Sequence, residues 1–500
     1  MKKPNIVLIM TDTQGTNVIG CYGRPGMKTP RIDGLASEGL KFDNAYASCP
    51  VCGPSRSSLF TGNYPHTTGV LSNNSPMAAN IVTVGQRLQD NGYHTAYTGK
   101  WHIDGTDYFG NGECPPGWDP EYWYDGRNYL DDMTPEWRLR WREELDNAKA
   151  VHKYGITEEF TWANKCSNKA IDFIEKTAGK EPFFLVVSYD EPHHPSTCPP
   201  PYCDMFEDFE YKMGPNVHDP LTDKPLHHRL WAESADKPEN PELFKKPMYF
   251  GCNSYVDYEI GRVIDAIDEH APETLVIYLS DHGTPMYSHR VESKGPAMYE
   301  ETTHVPLIMR WRGEIAENTA TPHPVTHVDI TPTILEAAGI EIPPFLEGKS
   351  LMPTLKDPAV QVNDVVFMEF NRFELNHDGW GGFQPIRCAF DGRHKLVINL
   401  LSTDELYDLQ TDPDELLNQI NKTEYNTVRD TLHKRILEWM DQSRDPFRGY
   451  IWTHRKWSKE QQRWRGAGMT RPRPDDGYEP RVLLYETGLP VEKWEYEKEE

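Results

Sequence analysis

Cys49-Pro-Val-Cys-Gly-Pro-Ser-Arg-Ser-Ser-Leu-Phe-Thr-Gly62 is the stretch around which the rest of the chain is organised. An extended, half-apolar run over residues 42–47 leads into it, and a helix-compatible run over residues 55–61 leads out. Pro54 suits the first turn of a helix, where a missing N–H costs nothing. The pattern therefore predicts Cys52 at a helix N-terminus, where the dipole and the free N–H groups activate a thiol. A buried structural cysteine beside a turn is the alternative interpretation.

The length and charge of the chain limit the classes of protein it can belong to. Its 500 residues suit a large α/β domain with a smaller one, and 37% hydrophobic residues are enough for a globular core. The net charge of −25 argues against a nucleic-acid partner, because such proteins need a basic surface. If the substrate is an anion, the positive charge must be concentrated in the site. An acidic exterior then fits a small substrate better than a long polyanion.

The N-terminal segment and the cysteines bear on location. The apolar run over residues 6–10 ends in polar residues with no small-residue cleavage site, so it does not read as a signal peptide. No apolar stretch reaches the ~18 residues of a membrane span. Nine cysteines form an odd number at scattered spacings, which is unlike a disulfide framework. We therefore expect a cytoplasmic, reduced protein with no membrane partner.

Polar residues follow several strand-like apolar runs. Asp12 follows the run 4–10, and Asp281 with His282 follows the run 274–279. Ligands of open α/β sheets bind beyond the carboxyl ends of the strands. Adjacent Asp and His at such an end predict a metal site, because carboxylate oxygen and imidazole nitrogen can turn toward one ion. For Asp12 alone, a loop aspartate that caps a turn is an equally simple interpretation.

Lys100 and His102 lie two residues apart, after a strand-like run that begins at Gly92. In an extended backbone such residues share a face. A solvated lysine beside a packed histidine is the alternative. The apolar run 183–189 delivers Asp190-Glu-Pro-His-His-Pro195, again at the end of a strand.

The C-terminal third differs in composition from the rest. A Pro-rich, linker-like stretch over 343–358 precedes three strand-like runs and a helix over 425–442. We expect a catalytic domain at 1–360, a small antiparallel-sheet-and-helix subdomain at 361–445 and an extension at 446–500. That extension would wrap the monomer or build a homo-oligomer contact. The loop-rich stretch 196–247 is long enough to be functional, but no motif in it says so.

The Cys-x-Pro-x-Arg string followed by Ser-Ser-Leu-Phe-Thr-Gly resembles the signature of the type I sulfatases, in the alkaline phosphatase superfamily. The resemblance implies a large, mixed but mostly parallel sheet sandwiched by helices. It also implies that a maturation enzyme oxidises Cys52 to Cα-formylglycine, whose hydrated aldehyde is the nucleophile. Matching stretches run in family order from residue 4 to about residue 420.

Further matches imply most of the remaining site. The resemblance makes metal ligands of the set Asp12, Cys52, Asp281 and His282, with Ca²⁺ as the ion and Mn²⁺ or Mg²⁺ also open because one ligand is histidine. The family has a second aspartate after the first, and here Thr13 replaces it. That departure leaves the metal site one carboxylate short, and it leaves open whether Thr13 or Gln14 supplies an oxygen.

Each remaining matched residue carries a role by resemblance. Arg56 anchors the nucleophile, while Lys100 and Lys294 hold the sulfate. His193, in Pro-His-x-Pro, or Lys294 protonates the leaving oxygen. His102, in Gly-Lys-Trp-His, is the base that frees sulfate, and Asp281 takes the proton of the nucleophile.

The family favours sulfated carbohydrates, as in glycosaminoglycan degradation. The acidic surface suggests a mono- or disaccharide cut in exo fashion. His289 lies between the Asp-His pair and Lys294, so we list it with the substrate-binding candidates. Arg372, His377 and Trp380 fall on a loop of the C-terminal subdomain, the side that binds sugar in sulfatases.

Two other functions fit parts of the pattern. Phosphonate monoester hydrolases and phosphodiesterases of the same superfamily also use formylglycine and have one N-terminal aspartate, as here beside Thr13. Lys100 and His102, however, match the sulfatases. A non-catalytic anion-binding protein that keeps the fold is the third possibility, although all catalytic positions but one are filled.

Overall fold

The computed structural model describes residues 3–24, 26–375 and 382–458. His377, Trp380 and residues 459–500 therefore lie outside the described residues. The strands within these ranges are, in chain order, β1 (Ile6–Thr11), β2 (Leu40–Phe42), β3 (Ala45–Tyr46), β4 (His94–Gly99), β5 (Trp123–Tyr124), β6 (Phe183–Ser188), β7 (Tyr211–Lys212), β8 (Leu243–Phe244), β9 (Leu275–Ser280), β10 (Leu307–Arg310), β11 (Thr319–Thr321), β12 (Val325–Thr326), β13 (Val366–Phe370), β14 (Ile386–Phe390), β15 (His394–Asn399) and β16 (Glu405–Asp408).

Helices separate most of these strands, as expected for an α/β chain. They are α1 (Pro30–Ser37), α2 (Cys52–Thr61), α3 (Pro65–Thr68), α4 (Val84–Asp90), α5 (Gly126–Asp131), α6 (Pro135–Glu144), α7 (Ala148–Tyr154), α8 (Trp162–Thr177), α9 (Leu226–Ser234), α10 (Pro247–His270), α11 (Glu300–Thr303), α12 (Ile330–Ala337), α13 (Met352–Lys356), α14 (Asn426–Gln442) and α15 (Tyr450–Thr453).

Eight strands form the central sheet in the order β11-β2-β10-β9-β1-β6-β4-β5. Strands β9, β1, β6, β4 and β5 pair in parallel, and β10 runs antiparallel to both of its neighbours. The predicted mixed, mostly parallel sheet is therefore confirmed. Its parallel centre brings the carboxyl ends of β9, β1, β6 and β4 to one edge.

Strand β1 shows why the sheet is covered on both sides. Val7 and Ile9 join an apolar cluster with α1, α8 and α10, whereas Leu8 joins a second cluster with α2, α4 and α12. Successive side chains of a strand point to opposite faces, so a continuous apolar run buries both. The helices pack on these two faces and leave the strand ends free for polar residues.

A second, antiparallel sheet has the order β13-β14-β15-β16. Helix α14 packs on it, with Trp439 stacked on Phe367 at 4.7 Å between ring centroids. This agrees with the small C-terminal sheet and helix expected from the sequence. Residues 446–458 fold back onto this unit, where Arg455 forms an ion pair of 2.7 Å with Asp404. The role of the whole extension, wrapping or oligomer contact, stays a prediction.

Local sequence accounts for several element boundaries. Helix α10 begins at Pro247, because proline is accepted at the first position of a helix. The stretch 134–177 holds three helices, α6, α7 and α8. The segment 196–247 is mostly irregular, but it contains α9 and the β7–β8 ribbon. Helix α2 already begins at Cys52, so Pro54 is its third residue.

None of the described helices is both long and apolar enough to cross a bilayer. The longest, α10, carries charged residues such as Asp257, Glu259 and Arg262 along its length. All nine cysteines are free thiols.

Candidate active site

Four strand ends deliver polar residues to one place. Asp12 follows β1, Lys100 follows β4, Asp190 lies two residues beyond β6 and Asp281 follows β9. These strands are neighbours in the parallel part of the sheet, so their carboxyl ends meet at one edge. The site is thus a direct consequence of strand order.

Cys52 lies next to this group and is the first residue of α2. Its side chain is buried, with Sγ 2.8 Å from Nζ of Lys294, 3.2 Å from Nε2 of His282 and 3.9 Å from Oδ1 of Asp12. Burial and the Asp12 carboxylate oppose ionisation of the thiol. Lys294, Lys100 and His282 outweigh them and lower the pKa of Cys52 to about 6. Position 52 therefore lies in a strongly electropositive environment, as expected for a nucleophile.

Arg56 lies one turn further along α2 and is fully buried. Its Nε donates to Asp281 Oδ2 at 2.9 Å and its Nη2 to Asp12 Oδ2 at 3.1 Å. Its Nη1 donates to the carbonyl oxygen of Lys100 at 2.6 Å and to Ser188 at 2.8 Å. One guanidinium therefore ties together the ends of four strands.

The carboxylate oxygens that Arg56 leaves free converge on one point. Oδ1 of Asp12 and Oδ1 of Asp281 lie 3.7 and 3.6 Å from Nε2 of His282. His282 donates its Nδ1 proton to the Gly283 carbonyl at 2.8 Å, which leaves the Nε2 lone pair for the site. Burial and the neighbouring Asp12 raise the pKa of Asp281 to about 6.

These groups fit a divalent cation. The ligand atoms of the predicted set lie within 4.8 Å of one another, and all four residues are buried: Asp12, Cys52, Asp281 and His282. Two carboxylate oxygens and an imidazole nitrogen are suitable donors for Ca²⁺ or Mn²⁺. The hydroxyl of Thr13 donates to Asp12 Oδ1 at 2.6 Å and so lies beside this set. The Gln14 oxygen instead accepts from Thr11 and Tyr278 in the core, so Gln14 is not a ligand in this arrangement.

Two lysines supply positive charge on either side of Cys52. Lys294 lies 3.0 Å from His282 Nε2 as well as against the Cys52 sulfur. Lys100 contacts Asp12 Oδ2 at 2.8 Å and Asp190 at 3.2 Å, and its Nζ lies 3.5 Å from the ring centroid of Tyr108. Both lysines are buried, so their charges act on the site with little screening.

His102 and His193 flank the cluster with different surroundings. His102 is buried and its Nε2 donates to Asn74 Oδ1 at 3.1 Å, whereas its Nδ1 has no partner among the described residues. Burial, Lys100 and Arg56 hold the pKa of His102 well below its usual value, so the ring is neutral and can accept a proton. Burial and the two lysines likewise lower the pKa of His193, which lines an open cavity. A bound anion would raise it again.

The cavity above the site has a volume of about 1170 Å³. His193 and Lys294 lie in its wall, together with Thr13. Most of the other lining residues belong to the segments 236–246 and 284–293. Much of the cavity wall thus comes from the loop-rich segment 196–247, for which the sequence offered no motif. Arg372, predicted as a substrate contact, is not among the residues that line the cavity.

The structure places His289 in the protein interior. Its side chain is fully buried, stacked on Tyr299 at 3.6 Å between ring centroids, with Nδ1 2.7 Å from Asp219. It does not line the cavity. Nearness in sequence to Lys294 thus does not bring His289 into the cavity wall, and its substrate contact stays a prediction that this geometry does not support.

Sequence analysis missed three residues of the site. Asp190 binds Lys100 and also accepts from the Tyr108 hydroxyl, and Asn74 holds His102. Asp190 could have been found, because it follows a buried strand as Asp12 and Asp281 do. Asn74 and Tyr108 lie in irregular segments, and only tertiary packing brings them here.

A buried cysteine at a helix N-terminus thus lies over a carboxylate–histidine cluster at parallel strand ends. Sequence comparison gives the family. The sequence model described as Sulfatase matches residues 4–340, and one described as N-sulphoglucosamine sulphohydrolase, C-terminal, matches residues 292–442. The chain belongs to the sulfatase family, the sulfuric ester hydrolases.

Individual relatives agree with this assignment. The uncharacterized sulfatase YidJ of Escherichia coli (strain K12) is 47% identical over 98% of both chains. The N-acetylglucosamine-6-O-sulfatase of Bacteroides thetaiotaomicron is 26% identical, over 89% of this chain and 87% of its own.

Two solved structures share the fold at lower identity. A protein in complex with its substrate D-glucosamine-2-N,6-O-disulfate superposes with a TM-score of 0.74 at 23% identity, over 89% of this chain and 99% of its own. The phosphonate monoester hydrolase of Agrobacterium radiobacter gives 0.70 at 22% identity, over 88% and 96%.

Proposed function

We propose that this chain removes sulfate from a small sulfated carbohydrate, in exo fashion, with formylglycine made from Cys52 and with one divalent cation. The observation that carries the proposal is the position of the Cys52 sulfur. It lies within 4 Å of the ammonium of Lys294, the imidazole of His282 and the carboxylate of Asp12, and Lys294 in turn lines an open cavity.

The carbohydrate part of the proposal is supported by relatives and by the cavity. Relatives named N-acetylglucosamine-6-O-sulfatase and Delta 4,5-hexuronate-2-O-sulfatase are 26% identical to this chain. The cavity of about 1170 Å³ is large enough for a mono- or disaccharide. Among the residues proposed for catalysis, His193 and Lys294 line this cavity. This arrangement favours a substrate that presents a terminal sulfate.

The residues of the site divide the work of the reaction. A divalent cation held by Asp12, Asp281 and His282 would neutralise a sulfate oxygen and favour the ionised form of the nucleophile. Arg56 fixes the ligand carboxylates by holding one oxygen of each. Lys100 and Lys294 stabilise the negative charge of the sulfate. The free oxygen of Asp281 can accept the proton of the nucleophile.

Two histidines handle the other protons. His193, in the cavity wall, is placed to give a proton to the leaving sugar oxygen, once the bound anion has raised its pKa. His102 is neutral, with a free Nδ1, and serves as the base that resets the nucleophile and releases sulfate. Asn74 keeps its ring in one orientation.

Phosphonate monoester hydrolysis is the second candidate. The single N-terminal carboxylate beside Thr13 favours it, and so does the shared fold. The buried pair of Lys100 and His102 favours sulfate instead.

A substrate panel tests the proposal. Sulfate release is measured from sulfated mono- and disaccharides, with aryl sulfates and aryl phosphonate monoesters alongside, after co-expression with a formylglycine-forming enzyme. We expect the highest kcat/KM on one sulfated sugar. A higher kcat/KM on aryl phosphonates than on every sulfate would transfer the protein to the second candidate.

Removal of the cation should abolish most of the activity. The carboxylates of Asp12 and Asp281 would then repel the sulfate, so we expect kcat to fall by about 10²-fold or more after dialysis against a chelator. Add-back of Ca²⁺, Mn²⁺ and Mg²⁺ in separate samples identifies the ion that restores it. The same dialysis without chelator is the control. Full activity in a sample shown to be free of divalent metal would contradict the proposed role of the cation.

A further inference from the structure

A second group of potential ligands lies away from the active site. His289, Glu301 and Glu415 approach one another so that one ligand atom of each lies within 4.8 Å of the others. His289 belongs to the segment between β9 and Lys294, Glu301 to α11, and Glu415 to the segment that follows β16. The group therefore joins the central-sheet part of the chain to its C-terminal part.

His289 has one ring nitrogen that is unused. Its Nδ1 lies 2.7 Å from Asp219 Oδ2, and this contact places the proton on Nδ1. The Nε2 lone pair is then left over, and Nε2 has no hydrogen-bond partner among the described residues although the side chain is fully buried. Metal-binding histidines usually donate their second N–H to a carboxylate in this way.

The facing carboxylates are also incompletely satisfied. Oε1 of Glu301 accepts from Asn216 at 2.7 Å, but its buried Oε2 has no partner among the described residues. Glu415 accepts from Nζ of Lys395 at 2.9 Å and from the backbone N–H of Glu300 at 2.7 Å. A buried ring nitrogen of His289 and a buried carboxylate oxygen of Glu301, in residues whose ligand atoms lie within 4.8 Å of each other, thus both lack a hydrogen-bond partner among the described residues.

The charge around this group is unbalanced. The groups in contact here comprise four carboxylates, two ammonium groups and one imidazole, namely Asp219, Glu300, Glu301, Glu415, Lys224, Lys395 and His304, whose Nδ1 lies 3.2 Å from Glu300. Excess negative charge in a buried place calls for a cation or for a bound proton.

We propose that His289 Nε2, Glu301 Oε2 and a carboxylate oxygen of Glu415 form a second divalent-cation site, distinct from the catalytic one. One imidazole and two carboxylates suit Zn²⁺ or Mn²⁺ better than Mg²⁺. Ligand bonds of ~2.0–2.2 Å require the three atoms to close by small side-chain rotations. The proposal of this second cation site does not depend on which substrate the active site takes.

The place of the site indicates what it does. In the segment that precedes Lys294, four residues have left-handed backbone angles. Their φ values are 51° at Met286, 77° at Tyr287, 52° at His289 and 61° at Arg290. Such backbone persists only where its surroundings hold it. A cation on His289 fixes this segment to α11 and to Glu415, and so positions Lys294, five residues further on, against Cys52.

Metal content tests the site directly. The purified, full-length protein is dialysed, equilibrated with Zn²⁺ or Mn²⁺, passed through a desalting column and measured by mass spectrometry for bound metal. We expect Glu301→Gln to hold one equivalent less than the wild type. The matched control Asp281→Asn should lose the catalytic ion instead and keep the one that Glu301→Gln removes.

Thermal stability gives a second readout. Zn²⁺ or Mn²⁺ should raise the Tm of the dialysed Asp281→Asn variant by about 2–4 °C, and this rise should be absent when Glu301→Gln is added to it. His289→Gln replaces Glu301→Gln if the latter does not fold. Equal metal content in wild type and Glu301→Gln, with no ion-dependent Tm in Asp281→Asn, would overturn the second site and assign the space to a water or to protonated Glu415. If the catalytic cation site is wrongly assigned instead, Asp281→Asn should hold as much metal as the wild type.

Discussion

Cys52→Ala is expected to lower sulfate release by about 10⁴-fold or more, because it removes the side chain that we propose to attack the substrate. The cysteine sulfur lies among Lys294, His282 and Asp12, and no other nucleophilic side chain among the described residues contacts all three. The assay measures sulfate release from the best substrate of the panel, and the mass of the peptide around residue 52 reports conversion to formylglycine.

Cys49→Ala is the matched control for this substitution. Cys49 is buried three residues earlier, and burial together with Glu369 holds the pKa of its thiol well above the ordinary value. It should retain activity close to that of the wild type. If Cys52→Ala retained activity, position 52 would not supply the nucleophile. A wild-type protein that stays unmodified and inactive after co-expression with the maturation enzyme would favour the non-catalytic alternative.

His193→Ala and His102→Ala should each lower kcat by about 10²–10⁴-fold, but at different steps. Without His193 the leaving oxygen departs unprotonated. The loss should therefore be large for sugar sulfates and small for aryl sulfates, whose leaving groups are already stable as anions. Without His102 the resetting step slows, so rapid kinetics should show one burst of alcohol per enzyme followed by slow turnover.

The neighbour His194 provides the control for both variants. Its side chain is exposed at the cavity and is not one of the groups that contact the Cys52 sulfur, so His194→Ala should change KM at most and leave kcat nearly unchanged. Equal losses for sugar and aryl sulfates in His193→Ala would remove that residue from the role of general acid. Absence of a burst in His102→Ala, with the first turnover as slow as the rest, would place His102 before the release step.

The parts of the fold that the sequence predicts well are those set by local pattern. Strand β1 is a continuous apolar run, and continuous runs of that length belong to sheets buried on both faces. Asp12 and Asp281 could be located because a strand end is visible in sequence. Cys52 could be placed at a helix start because Pro54 lies in the first turn of α2.

The parts that escaped prediction depend on contacts between distant segments. Asn74 reaches His102 across an irregular loop, and Tyr108 reaches Lys100 from another. Periodicity says nothing about such loops. The buried position of His289 could not be predicted for the same reason, since left-handed backbone angles interrupt the segment 286–290 and the side chain is fully buried against Tyr299.

The wall formed by residues 236–246 has a bearing on evolution. It lines the cavity but contributes none of the groups that bind the cation, attack sulfur or transfer protons. Arg56 in α2 and the strand ends are fully buried, where almost any change is costly, whereas this wall is largely exposed. Mutations can therefore accumulate in it without cost to the chemistry. A lineage that carries this scaffold can explore new sugars by changing one loop, and laboratory selection for a new substrate should begin there.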